Sequence, residues 1–199
     1  AKYTEMFGLG ETTGLEIPES EPQISDEYSV QSAIGQGTNN FTVSQLNRYV
    51  AAVANKGTVY KLSLLSKTTD PDGKIIKNYE PTVVSTIDEV SDETWNLIHQ
   101  GMISMINSTA SFSGLGIQMA GKTGTAQQSE IHPDHGLFVG FAPADAPEIA
   151  ITVRIANGYS SSYAAEIGRD IVKAKYQLGD INEIITGTAS ELGAAVAGD

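Results

Sequence analysis

Cysteine is absent from the 199 residues. Disulfides, thiolate metal sites and a cysteine nucleophile are therefore excluded. No apolar run approaches the roughly 18 residues needed to span a bilayer. The opening Ala1-Lys2-Tyr3-Thr4-Glu5 has no apolar stretch of signal-peptide type. Positive charge is scarce: Lys+Arg 12 against Asp+Glu 24 gives −12. Gripping a phosphate backbone needs a basic face, so nucleic acid is not an expected partner. The same balance argues against contact of this segment with an anionic membrane surface. Gly 20 and Pro 7 fall well short of a low-complexity composition. Hydrophobic residues at 40% and charged residues at 18% supply a core and too little charge density for disorder.

Periodicity gives an α+β order. Residues 1–41 read as loop-rich, with Phe7-Gly8-Leu9-Gly10 and Gly35-Gln36-Gly37 as turn formers. Residues 42–56 carry the clearest helical pattern. Thr42 and Gln45 are placed for a capping box, Phe41 and Leu46 for a hydrophobic staple. Val43, Leu46, Val50 and Val53 form the stripe, and Gly57 stands where a left-handed residue ends a helix. A surface hairpin over 58–80 is expected, with Thr58–Ser66 returning through Asp70-Pro71-Asp72-Gly73 to Lys74–Tyr79. A helix follows from Ser91 or Asp92 to about Asn107, burying Trp95, Ile98, Met102, Met105 and Ile106. Three strands are read at 117–127, 136–141 and 149–156, the last two as antiparallel neighbours joined through Pro143–Pro147. A closing helix runs from about Ser162 to Leu178 with Ala164, Ile167, Ile171, Ala174 and Leu178 as its stripe. From residue 180 the chain thins to a tail expected to be mobile. The order implies an antiparallel sheet with helices packed on it.

The chemistry concentrates in Gly121-Lys122-Thr123-Gly124-Thr125-Ala126. Gly116 to Thr123 satisfies the phosphate-loop pattern G-x-x-x-x-G-K-[ST] letter for letter. That pattern works only where a strand feeds a loop that opens a helix. Here a Ser-containing loop precedes Gly116, and Thr-Gly-Thr follows Lys122 where a helix should start. A nucleotide-hydrolysing reading is therefore the weaker one. The alternative is an extended strand. On a strand Lys122 shares a face with Gly124, and Thr123 with Thr125. Lys122 then offers a fixed cation beside a nucleophile, and Gly124 admits a close substrate backbone. The threonine hydroxyls and N–H groups can hold a carboxylate or an oxyanion. K-T-G of this kind accompanies S-x-x-K and S-x-N in serine acyltransferases acting on D-Ala-D-Ala peptides and β-lactams.

The chain also resembles the C-terminal part of the transpeptidase domain of class B penicillin-binding proteins. The resemblance rests on FGLGETTGLEIPES, IGQGTNNFTVSQLNRYVAAVANKGTVYKLSLL, AGKTGTAQQ, HGLFVGFAPADAPEIAITVRIANG and AAEIGRDIVKAKY. It implies residues 1–179 as that portion of the domain, with 180–199 outside it. It implies the serine D,D-transpeptidase fold, with Lys122 and Thr125 catalytic and Thr123, Gly124 and Thr125 on the substrate. The Thr125 N–H would supply half of an oxyanion hole. The implied ligands are the D-Ala-D-Ala stem peptide of peptidoglycan and β-lactam antibiotics, without a cofactor or metal. The implied location is the extracytoplasmic face of a bacterial membrane, anchored through an upstream segment. No lysine in 1–199 has a serine three residues before it, and no asparagine or aspartate has one two residues before it. The family's two serine motifs are thus expected upstream of Ala1. This chain is expected to be inactive alone and to need the N-terminal half of its domain. A non-catalytic binding or scaffold piece is the alternative.

Other features have plainer readings. His132-Pro133-Asp134-His135 is read as a turn and strand start rather than a zinc site, since Pro133 forces a loop and His99 stands on a helix. Glu19, Glu21, Asp26 and Glu27 read as a solvated acidic surface, and the Ser160–Ser162 run as a helix cap.

Overall fold

Thr42 sits in extended backbone, and its Oγ1 accepts the Gln45 N–H at 3.1 Å while the Gln45 Oε1 accepts the Thr42 N–H at 2.8 Å. This capping box starts a helix at Val43–Ala54, where two otherwise orphaned N–H groups are satisfied reciprocally. Thr42→Ala is expected to cost about 1 kcal/mol of stability, read as a lower urea unfolding midpoint; an unchanged midpoint would show the cap to be idle. The computed structural model describes residues 2–25, 29–127 and 131–185, which divide into two compact units at the Asp92–Glu93 junction.

The first unit contains helices α1 (Lys2–Met6), α2 (Ser29–Ala33) and α3 (Val43–Ala54) and strands β1 (Thr58–Lys61), β2 (Lys67–Thr69), β3 (Ile75–Asn78) and β4 (Thr82–Thr86). The apolar stripe of α3 is partly as expected: Val50 and Val53 are buried, Val43 is exposed. Gln45 and Arg48 are also buried, which their polarity hid. Gln45 donates through Nε2 to the Glu11 carbonyl at 3.0 Å, and Arg48 donates to the carbonyls of Gly8, Glu11 and Thr12. The irregular 8–12 segment thus places its carbonyls on α3, as buried backbone acceptors require. Glu19 is not a solvated acid. It accepts from the Thr13 hydroxyl and from the N–H groups of Gly14 and Leu15, at 2.5, 2.7 and 3.1 Å. Burial raises its pKa, but these donors outweigh burial and hold it below the usual carboxylate value. Glu21 is exposed, and Asp26 and Glu27 lie outside the described residues.

The helix ends in a Schellman arrangement. Gly57 N–H donates to the Ala52 carbonyl at 2.8 Å and Lys56 N–H to the Val53 carbonyl at 3.2 Å. The left-handed C′ residue is Lys56 (φ 60°), one position before the expected Gly57.

The expected hairpin is two nested ribbons. β1 pairs antiparallel with β4 (Thr58 opposite Thr86), not with 74–79. The inner ribbon joins β2 to β3, Lys67 opposite Asn78, around the Asp70–Gly73 turn. There the Asp70 Oδ1 accepts the Asp72 and Lys74 N–H groups at 3.1 and 2.8 Å. The threonine- and valine-rich Thr82–Thr86 run has the composition of a strand, which its pairing with β1 uses.

The second unit runs through α4 (Asp92–Ser108), β5 (Ala120–Ala126), β6 (His135–Ala142), β7 (Ile149–Ile155), α5 (Ser161–Lys175) and α6 (Ile181–Ile184). The three strands form one antiparallel sheet in the order β5-β6-β7, and α5 packs on it. Trp95 is 2% exposed, as its helical spacing implied. His99 replaces Ile98 on the buried face of α4, its ring 5.0 Å from that of Phe141. The stripe of α5 is rotated from the expected one. Ser161, Ala164, Ala165, Gly168 and Val172 are buried, while Ile167 and Ile171 are exposed. Small residues face the sheet because the helix lies close to it. Ser160 caps α5, its Oγ accepting the Ser162 N–H at 3.2 Å. The helix ends at Lys175 rather than Leu178, again through a Schellman bond, Leu178 N–H to Lys173 carbonyl at 2.9 Å, with Gln177 left-handed (φ 55°). The segment after 180 is not tail from its start: Asp180 caps α6, and residues 186–199 lie outside the described residues.

Candidate functional site

Lys122, Thr123, Gly124 and Thr125 lie consecutively on β5, an outer strand of the sheet; among the described residues no strand pairs with its other side. Two threonines and small neighbours suit an extended, partly buried backbone. Register with β6 places Lys122 opposite Val139, Thr123 opposite Phe138, Gly124 opposite Leu137 and Thr125 opposite Gly136. Directly opposed residues share a face of an antiparallel pair. Gly121, Thr123 and Thr125 therefore fall on the Phe138 face, Lys122 and Gly124 on the Val139 face.

The strand runs through the region where a phosphate loop would have to open a helix. Extended structure begins at Ala120 and continues to Ala126, so the letters of Gly116–Thr123 do not form a nucleotide cradle. The nucleotide reading is overturned by this backbone.

Lys122 and Thr125 are exposed, Thr123 and Gly124 half-buried. The Lys122 ammonium donates to the Thr123 carbonyl at 2.7 Å, so the cation lies along its own strand rather than in the core. The two glycines of the segment differ. A Cβ on Gly121 would come within 2.8 Å of the Phe138 ring and 3.0 Å of the Val139 carbonyl oxygen, so packing demands glycine there. A Cβ on Gly124 would meet nothing nearer than the Leu137 Cβ at 3.5 Å, an ordinary contact. Packing of the sheet does not explain glycine at 124.

β5 is held in place by a tight core. The Phe138 ring, 0% exposed, lies against Gly121, Gly140 and Gly168; a Cβ on each would come within 2.8, 2.8 and 2.5 Å of it. The Phe112 ring lies 5.8 Å away. Glycine in three separate elements lets a helix and two strands approach one aromatic ring. Sequence reasoning missed this cluster because the glycines are far apart in the chain.

His135 opens β6 opposite Ala126, directly after the candidate segment. It is buried, and its Nδ1 accepts the Asn157 N–H at 2.9 Å. Among the described residues no group of three or more His, Asp or Glu side chains is placed to hold a metal ion.

Comparison with known proteins shows the family and the fold. Residues 1–173 match the family described as the penicillin binding protein transpeptidase domain. The chain is 33% identical over 213 residues to the peptidoglycan D,D-transpeptidase MrdA of Acinetobacter baumannii, covering 85% of this chain and 30% of that protein. Among solved structures it superposes on penicillin-binding protein 2B of Streptococcus pneumoniae with TM-score 0.75 at 28% identity, covering 90% of this chain and 32% of that one. It also superposes on the imipenem acyl-enzyme of penicillin-binding protein A from M. tuberculosis with TM-score 0.73 at 25% identity, covering 89% of this chain and 42% of that one. The chain spans less than a third of the length of the curated relatives it matches. With the α+β fold and the match over residues 1–173 in agreement, the chain belongs to the penicillin-binding protein transpeptidase domain family.

Proposed function

We propose that residues 1–179 are the K-T-G-bearing portion of a peptidoglycan D,D-transpeptidase, and that its serine nucleophile comes from residues outside 1–199. The observation that carries this reading is the outer strand β5, which bears an exposed lysine and a glycine whose Cβ the fold would tolerate. A glycine that packing does not require suits a strand along which a substrate backbone must lie. An extended stem peptide adds to the open side of β5 as a further strand, main chain to main chain. The hydroxyls of Thr123 and Thr125 receive its terminal carboxylate. The Lys122 ammonium supplies positive charge beside the attacking serine, steadying the proton transfer from that hydroxyl. The Thr125 N–H donates to the oxyanion formed as the serine oxygen bonds to the penultimate D-Ala carbonyl carbon. The C–N bond to the terminal D-Ala then breaks, the leaving amine takes a proton, and an amine of a neighbouring stem peptide later displaces the serine. A β-lactam carries a carboxylate and a strained amide in similar relation and stops at the acyl-enzyme, as the imipenem complex of the M. tuberculosis relative does. Action on peptidoglycan places the chain outside the cytoplasm. No helix among the described residues is long and apolar enough to cross a membrane.

The experiment is labelling with a fluorescent penicillin. The 199-residue chain alone is expected to form no covalent adduct, and the complete penicillin-binding protein to form one on a serine outside it. A stable adduct on the isolated chain would overturn the division of the site. A complete protein that never acylates would leave a non-catalytic binding piece instead.

A further inference from the structure

The turn from β7 into α5 packs against the start of β6. Two of its residues, Asn157 (φ 52°) and Tyr159 (φ 64°), are left-handed without being glycine. Asparagine tolerates that conformation; an aromatic residue rarely adopts it. Two hydrogen bonds tie the turn to the start of β6. The Asn157 N–H donates to His135 Nδ1 at 2.9 Å, and the Tyr159 N–H donates to the Asp134 carbonyl at 3.2 Å. The contact between turn and strand is close. A Cβ on Gly136 would come within 2.5 Å of the Ser160 carbonyl oxygen. Gly136 and His135 are in turn the register partners of Thr125 and Ala126. One imidazole therefore joins the strained turn to the residues that set the end of β5.

We propose that His135 is a positioning residue: by accepting the Asn157 amide proton at Nδ1 it fixes the 156–160 turn against β6, and through Gly136 it sets the backbone of Thr125 and Ala126. This rests on the reading of β5 as the substrate strand. The bond needs a neutral ring with its proton on Nε2. On protonation Nδ1 also carries hydrogen, two donors face each other, and the contact must open. Burial and the positive charge of Arg154 on β7 oppose protonation, while the carboxylate of Asp134 favours it; the balance holds the ring below its ordinary value of 6.5. A depressed histidine adds stability that is whole above the unfolded value. That stability drains away as pH falls below it and levels off once the folded ring is protonated. The site is thus set at neutral pH and loosens in acid.

The test has two parts. In amide NMR of the 199-residue chain between pH 8 and pH 5, Asn157 and Thr125 are expected to shift together with the His135 ring, with a midpoint below 6.5. H135N places an amide oxygen near the acceptor position and should keep both amides in place without titrating. H135F removes the acceptor and should displace both at every pH. In the complete penicillin-binding protein, penicillin acylation should fall by about tenfold more between pH 7.5 and pH 5 in the wild type than in H135N, since small misplacement of a reacting group costs that much or more. Asn157 following the ring while Thr125 stays fixed overturns the positioning role, and so do identical acylation profiles for wild type and H135N. A protein that never acylates although both amides titrate with His135 refutes the transpeptidase reading and leaves the coupling from His135 to β5 supported.

Discussion

Phe138→Ala is expected to remove about 3–5 kcal/mol of stability, the range for deleting a buried aromatic side chain. The upper end applies because the site cannot collapse. On three sides the ring meets backbone, at Gly121, Gly140 and Gly168, which has no side chain to swing inward. Gly168→Ala approaches the same contact from the other side. In a helix interior that change ordinarily gains about 1 kcal/mol. Here the new methyl would lie 2.5 Å from two atoms of the Phe138 ring, and the ring is 0% exposed with nowhere to go. Overpacking of this kind costs about 1–3 kcal/mol, so the net sign is destabilising. The double variant should be more stable than the sum of the two changes, because the methyl then occupies space the ring has left. Urea unfolding of the four proteins measures all of this. A loss below about 1 kcal/mol for Phe138→Ala would mean that the ring is not the keystone of the second unit.

Lys122→Ala is expected to lower penicillin acylation of the complete protein by about 10²–10⁴-fold, the usual worth of a positioned proton-transfer partner. Stability should stay within about 0.5 kcal/mol, because the side chain is exposed and its ammonium bonds to a carbonyl of its own strand. The separation of the two effects is the point of the measurement. A lysine that merely decorated a strand would move neither quantity. Equal losses in both would show that Lys122 supports the fold instead of the reaction. Arginine at this position should not restore the rate, since a planar fork does not reproduce a compact ammonium on a flexible stem.

Much of the second unit was legible because its signals are local. The alternation of Ile149, Ile151 and Val153, the Thr-Gly-Thr run after Lys122 and the Ser160 cap each declare themselves within a few residues. What escaped depends on distant partners. Arg48 and Gln45 look like the wet side of α3 until the carbonyls of Gly8, Glu11 and Thr12 are brought to them. Glu19 looks like surface charge until the Thr13–Leu15 segment wraps its carboxylate. The stripe of α5 was misread because isoleucine at 167 and 171 outweighs glycine and alanine on any hydrophobicity scale, whereas proximity to Phe138 favours the smallest side chains. The pairing of β1 with β4 escaped because a ribbon within a ribbon separates partners that a simple hairpin would keep adjacent. Around the candidate site, the extended backbone after Gly121 was legible in the Thr-Gly-Thr run. Only the strand order shows that Lys122–Thr125 lie at a margin of the sheet.

That margin carries a hazard of its own. A sheet margin that no other described strand covers can take up an extended polypeptide, including the equivalent strand of an identical molecule, and such edge-to-edge pairing is a step toward insoluble fibres. A lysine midway along such a rim repels its own likeness. The exposed ammonium can thus serve as a gatekeeper against self-association, which ties solubility to one side chain of the rim.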